Sequence, residues 1–358
     1  MRRKIVPIGR SKSGSAWAIL LFSSACFSFS TGAASASSVD ADAQTLGAVV
    51  ITGKMQSPAL WTASRGIKKV YILGTPQTLP ENLTWNFTDI DQRISSSEVV
   101  LGPRGLIVGD NIGIFRGLTL WPSIRGTKRN PEGHSLRDVL APDVYARWRE
   151  EKAKYLDDND AERLRPLYAA FELFEAATKK AGLTSGASVD AMVAKTARKY
   201  RVATYDVRFR LSIKDPADAV ARFDIAAAED ARCLEQTLGQ LEEFLSAAVE
   251  VGNAWAAGDI GRMQASGANG ATFTACWARL TNDAIAKQQG IGDLHSRVEA
   301  AWLEGLHSAL RDHDKVFATL PVRDLTNPNG ILAVLQREGF ELVSPEPTDV
   351  ADGPPEGT

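Results

Sequence analysis

The side chains best suited to metal or proton chemistry are few and widely spaced in this sequence. The four histidines are His134, His295, His307 and His313, and none stands at metal-ligand spacing from another. His307 and His313 are six residues apart, which would place them on different sides of a helix. The chain also lacks the short motifs of nucleotide-binding loops, zinc peptidases, thiol oxidoreductases and serine hydrolases. Local motifs alone therefore predict neither a metal site nor an activated nucleophile.

One segment is more informative than the isolated histidines. Residues 70–80 read as an apolar strand that ends in Gly74 and Thr75, followed by a turn with Gln77. A Gly-Thr-Pro turn after a buried strand is often only a tight exit from the sheet, with no chemical role.

Apolar runs near both ends of the chain predict strands, and the part between them predicts mostly helices. Strands are expected at 69–73, 99–101, 202–205, 316–320 and 340–343. Helical patterns fill most of 135–257 and return at 297–311 and 331–337. This order predicts an α+β fold, with a mixed central sheet built from N- and C-terminal segments and a long helical middle packed over it.

Several residues predict where these helices begin and which face they bury. Ser135 and Asp138 have the spacing of a capping box, and Pro142 and Pro166 suit the first turn of a helix. Within 215–257, four leucines recur at spacings of four, three and four residues, so they would share one buried face. These are Leu234, Leu238, Leu241 and Leu245.

The N-terminus has the pattern of a secretion signal. Basic residues precede an apolar run over residues 16–29, and Ala34, Ser35 and Ala36 then fit a small-x-small cleavage site. The apolar run is too short for a permanent membrane anchor, although it would also suit a buried N-terminal helix. We expect cleavage near Ala36, export to a periplasm or the extracellular space, and no permanent membrane span afterwards.

Removal of this segment would leave an acidic protein. The whole chain has 41 basic and 43 acidic residues. Five of the basic residues precede residue 37 and no acidic residue precedes Asp40, so the net charge would fall to about −7. An acidic protein without a basic stripe argues against nucleic acid or anionic lipid as a partner.

Two cysteines would remain in the exported protein. Cys26 would leave with the signal, whereas Cys233 and Cys276 stay. An even count in an oxidising compartment favours a disulfide between them, and two buried free thiols are the alternative. The predicted organisation is thus a signal peptide (1–36), a linker (37–57), one domain (58–343) and a disordered tail (344–358) rich in Pro, Glu and Gly.

Five segments of this domain, taken in order, resemble the motifs of the TraB/PrgY/GumN family, which includes the Tiki proteins. The resemblance implies the fold of a metal-dependent hydrolase. The segments begin with a Pro-Ala-Leu-Trp lead-in and the strand that ends in Gly-Thr, and they close with a strand, a turn and a helix. They are Pro58–Trp61, Val70–Pro80, Arg165–Tyr168, Asn253–Asp259, and Phe317–Phe340 with Leu325 and Asn329–Leu332 inside it.

The residues that would carry the family's chemistry are mostly replaced. Gln77 stands where the opening motif usually has histidine, and in the closing motif Pro321 and Asp324 replace the glycine and the second histidine. Gly102 stands where an acid would follow the second strand, and Asp206 aligns with a family glutamate. Loss of two imidazoles and one carboxylate argues against a tightly bound transition metal.

The leading hypothesis is an exported, catalytically inactive binding or scaffold protein of the cell envelope, with no cofactor. It would hold an unidentified peptide, glycan or envelope protein in the old cleft. The first alternative is a hydrolase that uses Asp206 and Asp324 as an acid–base pair, or a calcium- or magnesium-type site that adds Gln77. A structural subunit without a cleft is the third possibility. The candidate cleft comprises Gly74, Thr75, Gln77, Gly102, Asp206, Arg323 and Asp324.

Overall fold

The strands form one large sheet and two small ones. The computed structural model describes residues 57–108, 126–157, 160–213, 226–265, 276, 287, 290 and 292–345. All of them lie within one compact unit that spans residues 53–358. The strands are β1 (Leu60–Arg65), β2 (Lys68–Thr75), β3 (Thr78–Pro80), β4 (Val99–Leu101), β5 (Leu106–Val108), β6 (Leu183–Ser185), β7 (Ala203–Tyr205), β8 (Phe209–Leu211), β9 (Lys315–Pro321) and β10 (Glu341–Val343).

The helices occupy the middle of the chain and return after residue 293. Two short 3₁₀ turns lie among them: Pro131–Gly133 precedes the helix that begins at Leu136, and Asp160–Arg163 precedes the helix that begins at Pro166. Within the described residues, the α-helices are α1 (Thr88–Ser95), α2 (Leu136–Val139), α3 (Pro142–Tyr155), α4 (Pro166–Lys180), α5 (Ala187–Tyr200), α6 (Ala227–Ala256), α7 (Ile260–Ala265), α8 (Leu294–Asp312), α9 (Val322–Leu325) and α10 (Ile331–Arg337).

The large sheet is mixed and joins distant parts of the chain. Its order is β10-β1-β2-β9-β4-β7. The four strands β2, β9, β4 and β7 run parallel, whereas β1 pairs antiparallel with β2 and with β10. Small sheets pair β3 with β6 and β5 with β8. The predicted α+β fold, with a sheet built from N- and C-terminal segments, is confirmed.

Both faces of the large sheet are covered, because its strands are apolar on both sides. On one face, alternate residues such as Ile72 and Ala318 pack with Trp302 of α8 and with residues of α10. On the other face, Phe317 and its neighbours pack with residues of α1, α5, α6 and α7. A β strand places successive side chains on opposite faces, so a continuous apolar run indicates this double covering.

A third apolar cluster holds the helical middle together. It joins α2, α3 and α4 to the first half of α6. Leu234, Leu238 and Leu241 are buried there and Leu245 packs against them, as their spacing predicts. The second half of α6 continues into the cluster under the sheet, so one 30-residue helix links the two regions.

The predicted helix starts are confirmed. The backbone N–H of Ser135 donates to Asp138 at 2.8 Å, which is one half of the capping box. Pro142 and Pro166 occupy the first positions of α3 and α4, where a missing N–H costs no hydrogen bond.

Cys233 and Cys276 are joined as the sequence predicts, with their Sγ atoms 2.07 Å apart. Among the described helices, none combines the length and the apolar character needed to cross a lipid bilayer. The predicted signal peptide, and almost all of the predicted linker and tail, lie outside the described residues.

Candidate functional site

The carboxyl ends of the four parallel strands meet at one edge of the large sheet. Ligands of open parallel sheets bind at this edge, because loops there leave a crevice between neighbouring strands. The segments that follow β2, β9, β4 and β7 carry Gln77, Asp324, Gly102 and Asp206, in that order across the sheet. The parallel pairing therefore places all four of these sequence-predicted positions along the same edge.

A cleft of about 320 Å³ opens at the β2 and β9 end of this edge. It lies between the segments that follow these two strands, the start of α5, the second half of α6 and α7. Its lining combines apolar side chains such as Val251 and Met263 with a few polar ones. Thr75, Gln77 and Arg323 of the predicted cleft line it. The other four predicted residues are described but lie outside its lining: Gly74, Gly102, Asp206 and Asp324.

Gly74 sits directly beneath the lead-in tryptophan. A Cβ atom at this position would lie 2.7 Å from the ring of Trp61 and 3.0 Å from Val322. The carbonyl oxygen of Gly74 accepts a 2.7 Å hydrogen bond from Nε1 of the fully buried Trp255. The glycine therefore serves the packing of the strand end, and it fixes where Thr75 and Gln77 enter the cleft.

Asp206 is held by arginines at the far end of the edge. Its carboxylate accepts hydrogen bonds from Nε of Arg208 at 2.8 Å and from Arg210. The hydrogen bonds from the Arg208 side chain lower the pKa of Asp206, and partial burial opposes this shift only in part. Gly102 lies beside Asp206, because the N–H of Gly102 donates to the carbonyl oxygen of the preceding residue, Tyr205, at 2.8 Å.

Asp324 is also paired with an arginine, and this pair is nearly buried. Nη2 of Arg104 lies 2.8 Å from Oδ2 of Asp324, with side chains 8% and 12% exposed. Glu299 of α8 lies 4.0 Å from the same guanidinium. Arg104 follows β4, so its guanidinium reaches the segment after β9 and neutralises Asp324 there.

Asp190 is a residue of the cleft that sequence reasoning missed. It lies in the first turn of α5 and lines the cleft, and its carboxylate accepts a 2.6 Å hydrogen bond from the buried hydroxyl of Thr319 on β9. Burial raises the pKa of Asp190, and only the Thr319 hydrogen bond opposes that shift. The available signal was an acid three and seven residues before the buried Val193 and Ala197, on the apolar face of a helix.

Comparison with known families shows which family the chain belongs to. The model of the TraB/PrgY/gumN family matches residues 59–344, which is most of the chain. The chain belongs to the TraB/PrgY/gumN family. This confirms the resemblance read from the sequence motifs. No curated protein and no solved structure matches the chain.

The family-like Trp-x-x-Gly-Asp segment has a structural role in this TraB/PrgY/gumN member. Gly258 adopts a positive φ of 74° after the end of α6, and its N–H donates to the carbonyl of Trp255. The N–H of Asp259 donates to the carbonyl of Ala254, which completes a Schellman motif. Asp259 Oδ1 then accepts from the N–H of Arg262 in α7. The segment thus turns the chain from α6 into α7 at the wall of the cleft.

The family-like Arg-Pro segment is likewise structural. Asp230 of α6 is 2% exposed, and its carboxylate lies 2.7 Å from Nε of Arg165. The same carboxylate accepts a hydrogen bond from the N–H of Leu167, in the first turn of α4. An acid at a helix N-terminus accepts a hydrogen bond from a backbone N–H that has no partner within the helix, and its negative charge interacts favourably with the helix dipole. This contact ties α4 to α6.

The metal that TraB/PrgY/gumN membership implies does not fit these residues. Gln77 offers a neutral amide, and the carboxylates of Asp206 and Asp324 each face at least one guanidinium. A cation bound there would have to displace those arginines, and their positive charge would repel it. In the part of the chain that the structure describes, no group of three or more His, Cys, Asp or Glu residues is arranged to hold a metal.

Proposed function

We propose that this TraB/PrgY/gumN protein is an exported, non-catalytic binding protein of the cell envelope. Its ligand, a peptide or a glycan, occupies the cleft beside Thr75 and Gln77. The secretion signal read in residues 1–36 supports export. N-terminal sequencing of the protein recovered outside the cytoplasm is expected to begin near Ser37, and an intact Met1 there would contradict this part of the proposal.

The observation that carries the proposal is the ion pair between Arg104 and Asp324. A metal-activated water needs nearby ligands that donate electrons to the metal. At the position of the second family histidine, Arg104 instead takes up the replacing carboxylate at 2.8 Å. Asp206 is engaged in the same way by Arg208. The edge that would hold a metal is filled with internal ion pairs.

An acid–base hydrolase that uses Asp206 and Asp324 receives less support from this geometry. A carboxylic acid that donates a proton near neutral pH needs a raised pKa. The hydrogen bonds from Arg208 lower the pKa of Asp206 instead. Neither carboxylate lines the described cleft where a substrate would bind.

A purely structural subunit also receives less support, because the sequence-based expectation for it was a chain without a cleft near Gln77. The cleft beside Gln77 has polar and apolar side chains in its lining, as small-molecule and peptide sites do.

A peptidase assay tests the proposal. The exported protein is incubated with a mixture of unstructured peptides and with zinc, manganese or calcium, and the products are measured by mass spectrometry. We expect no metal-dependent cleavage. Cleavage that requires a metal and disappears in Gln77→Ala or Asp324→Ala would overturn the proposal, whereas cleavage that persists in both variants would indicate a contaminating peptidase.

A further inference from the structure

The carboxylate of Asp190 is the unusual feature of the cleft. Its one hydrogen bond to a described residue is that from Thr319. No lysine, arginine or histidine among the described residues lies within ion-pair distance of it. The aspartates at the sheet edge, by contrast, are paired with arginine at 2.8 Å. Asp190 is therefore a carboxylate with no cationic partner among the described residues, and it lines a cavity large enough for a small cation.

The fold alone gives no reason for this charge. An asparagine at position 190 would accept the same hydrogen bond from Thr319 without the cost of removing an ionised carboxylate from water. Burial raises the pKa of Asp190, which means that the ionised form is disfavoured in the folded protein. Polar groups that reduce stability are concentrated at binding and catalytic sites, where function requires them.

The surroundings of Asp190 indicate which kind of cation would fit beside it. Val251, Met263 and Val322 give the cleft an apolar wall suited to an aliphatic chain. Arg323 is the other charged residue of the described lining, and its side chain is 55% exposed. A ligand with one positive group is therefore favoured over one with two.

We propose that Asp190 binds the primary ammonium group of a small aliphatic ligand or ligand side chain in this cleft. The ammonium would donate hydrogen bonds to the carboxylate, and the attached carbon chain would lie against Val251 and Met263. This inference rests on the proposed binding function, and it names the chemical class that the cleft recognises.

Calorimetric titration of the exported protein with n-butylammonium chloride tests the inference. Equal concentrations of n-butanol and sodium butyrate serve as neutral and anionic probes of similar size. We expect n-butylammonium to bind, and n-butanol and butyrate to bind at least about tenfold more weakly. A hydrogen bond between charged groups contributes more than one from the neutral alcohol, and the carboxylate of Asp190 repels butyrate. Equal binding of n-butanol would overturn the inference.

Two variants locate the site. Asp190→Asn is expected to bind n-butylammonium at least about tenfold more weakly while its melting temperature at pH 7 is unchanged or higher. Asp206→Asn removes a carboxylate that is outside the cleft lining and is expected to bind as the unmodified protein does. Full ammonium binding by Asp190→Asn would overturn the inference, as would a loss of equal size in Asp206→Asn.

The pH dependence of the unmodified protein tests the same point without a variant. Because the pKa of Asp190 is raised in the folded state, protonation of Asp190 stabilises the folded protein. This contribution to the free energy of unfolding is lost as pH rises through the raised pKa. Ammonium binding needs the ionised form, so affinity is expected to increase over the same interval. Affinity that does not change with pH would contradict the inference.

Absence of ammonium binding together with absence of metal-dependent cleavage would remove this inference and leave the proposed function standing.

Discussion

Asp230→Ala is expected to lower the free energy of unfolding by about 3–5 kcal/mol, because it breaks a buried ion pair by removing one partner. The guanidinium of Arg165, 13% exposed, would lose the carboxylate 2.7 Å away. The N–H of Leu167 would lose its acceptor in the first turn of α4. The loss is measured by urea unfolding followed by circular dichroism.

Asp206→Ala is the matched control, since it also removes an aspartate from contact with arginine. Its partners Arg208 and Arg210 have side chains 44% and 50% exposed, so water solvates them after the change. Exposed ion pairs contribute about 1 kcal/mol or less. Similar losses in the two variants would show that the contact between α4 and α6 does not depend on the buried pair.

Gly186→Ala is expected to reduce the free energy of unfolding by about 3 kcal/mol or more, because the added Cβ atom would overlap the backbone of Pro76 beside the cleft. The alanine Cβ would lie 1.8 Å from the carbonyl oxygen of Pro76. The conformation of Gly186, with φ −54° and ψ −18°, is accessible to alanine, so the cost comes from the close contact. The hydrogen bond from Gly186 N–H to the Gln77 carbonyl holds the two segments together at 2.9 Å.

Gly239→Ala provides the control for the glycine change. Gly239 lies within α6, and a Cβ there would meet no atom within 4 Å. Alanine at an exposed helical position is expected to raise stability by up to about 1 kcal/mol, since glycine has more backbone entropy to lose on folding. Thermal unfolding of the two variants should therefore shift in opposite directions. Equal melting temperatures would contradict the steric account of Gly186.

The strands and helices that the sequence predicts are those with a strong local pattern. Continuous apolar runs predict β2 and β9 because both faces of these strands are buried. The leucine repeat predicts the buried face of α6, and Pro142 and Pro166 mark two helix starts. The strands β3, β6 and β8 of the two small sheets and the six-residue β1 were not predicted, because none of them contains a continuous apolar run and each is defined by its partner strand.

The site was less predictable, because its contacts join residues far apart in the chain. Gln77, Gly102, Asp206 and Asp324 were placed by family-like motifs, and parallel pairing brings the strand ends that precede them to one edge. The pairing of Arg104 with Asp324 spans 220 positions and leaves no local pattern. Asp190 falls within the predicted helical region, where an acid on the stripe of Val193 and Ala197 departs from amphipathic spacing.

Elemental analysis of the protein without residues 1–36 tests the central claim of the proposed function, that internal ion pairs occupy the positions where the family resemblance implies a metal centre. The protein, residues 37–358, is incubated with zinc, manganese and calcium and then dialysed. We predict no stoichiometric metal, because Arg104 and Arg208 already neutralise the available carboxylates. One metal per chain that is lost in Asp324→Ala and retained in Glu242→Ala, a surface carboxylate paired with Lys154, would contradict the account.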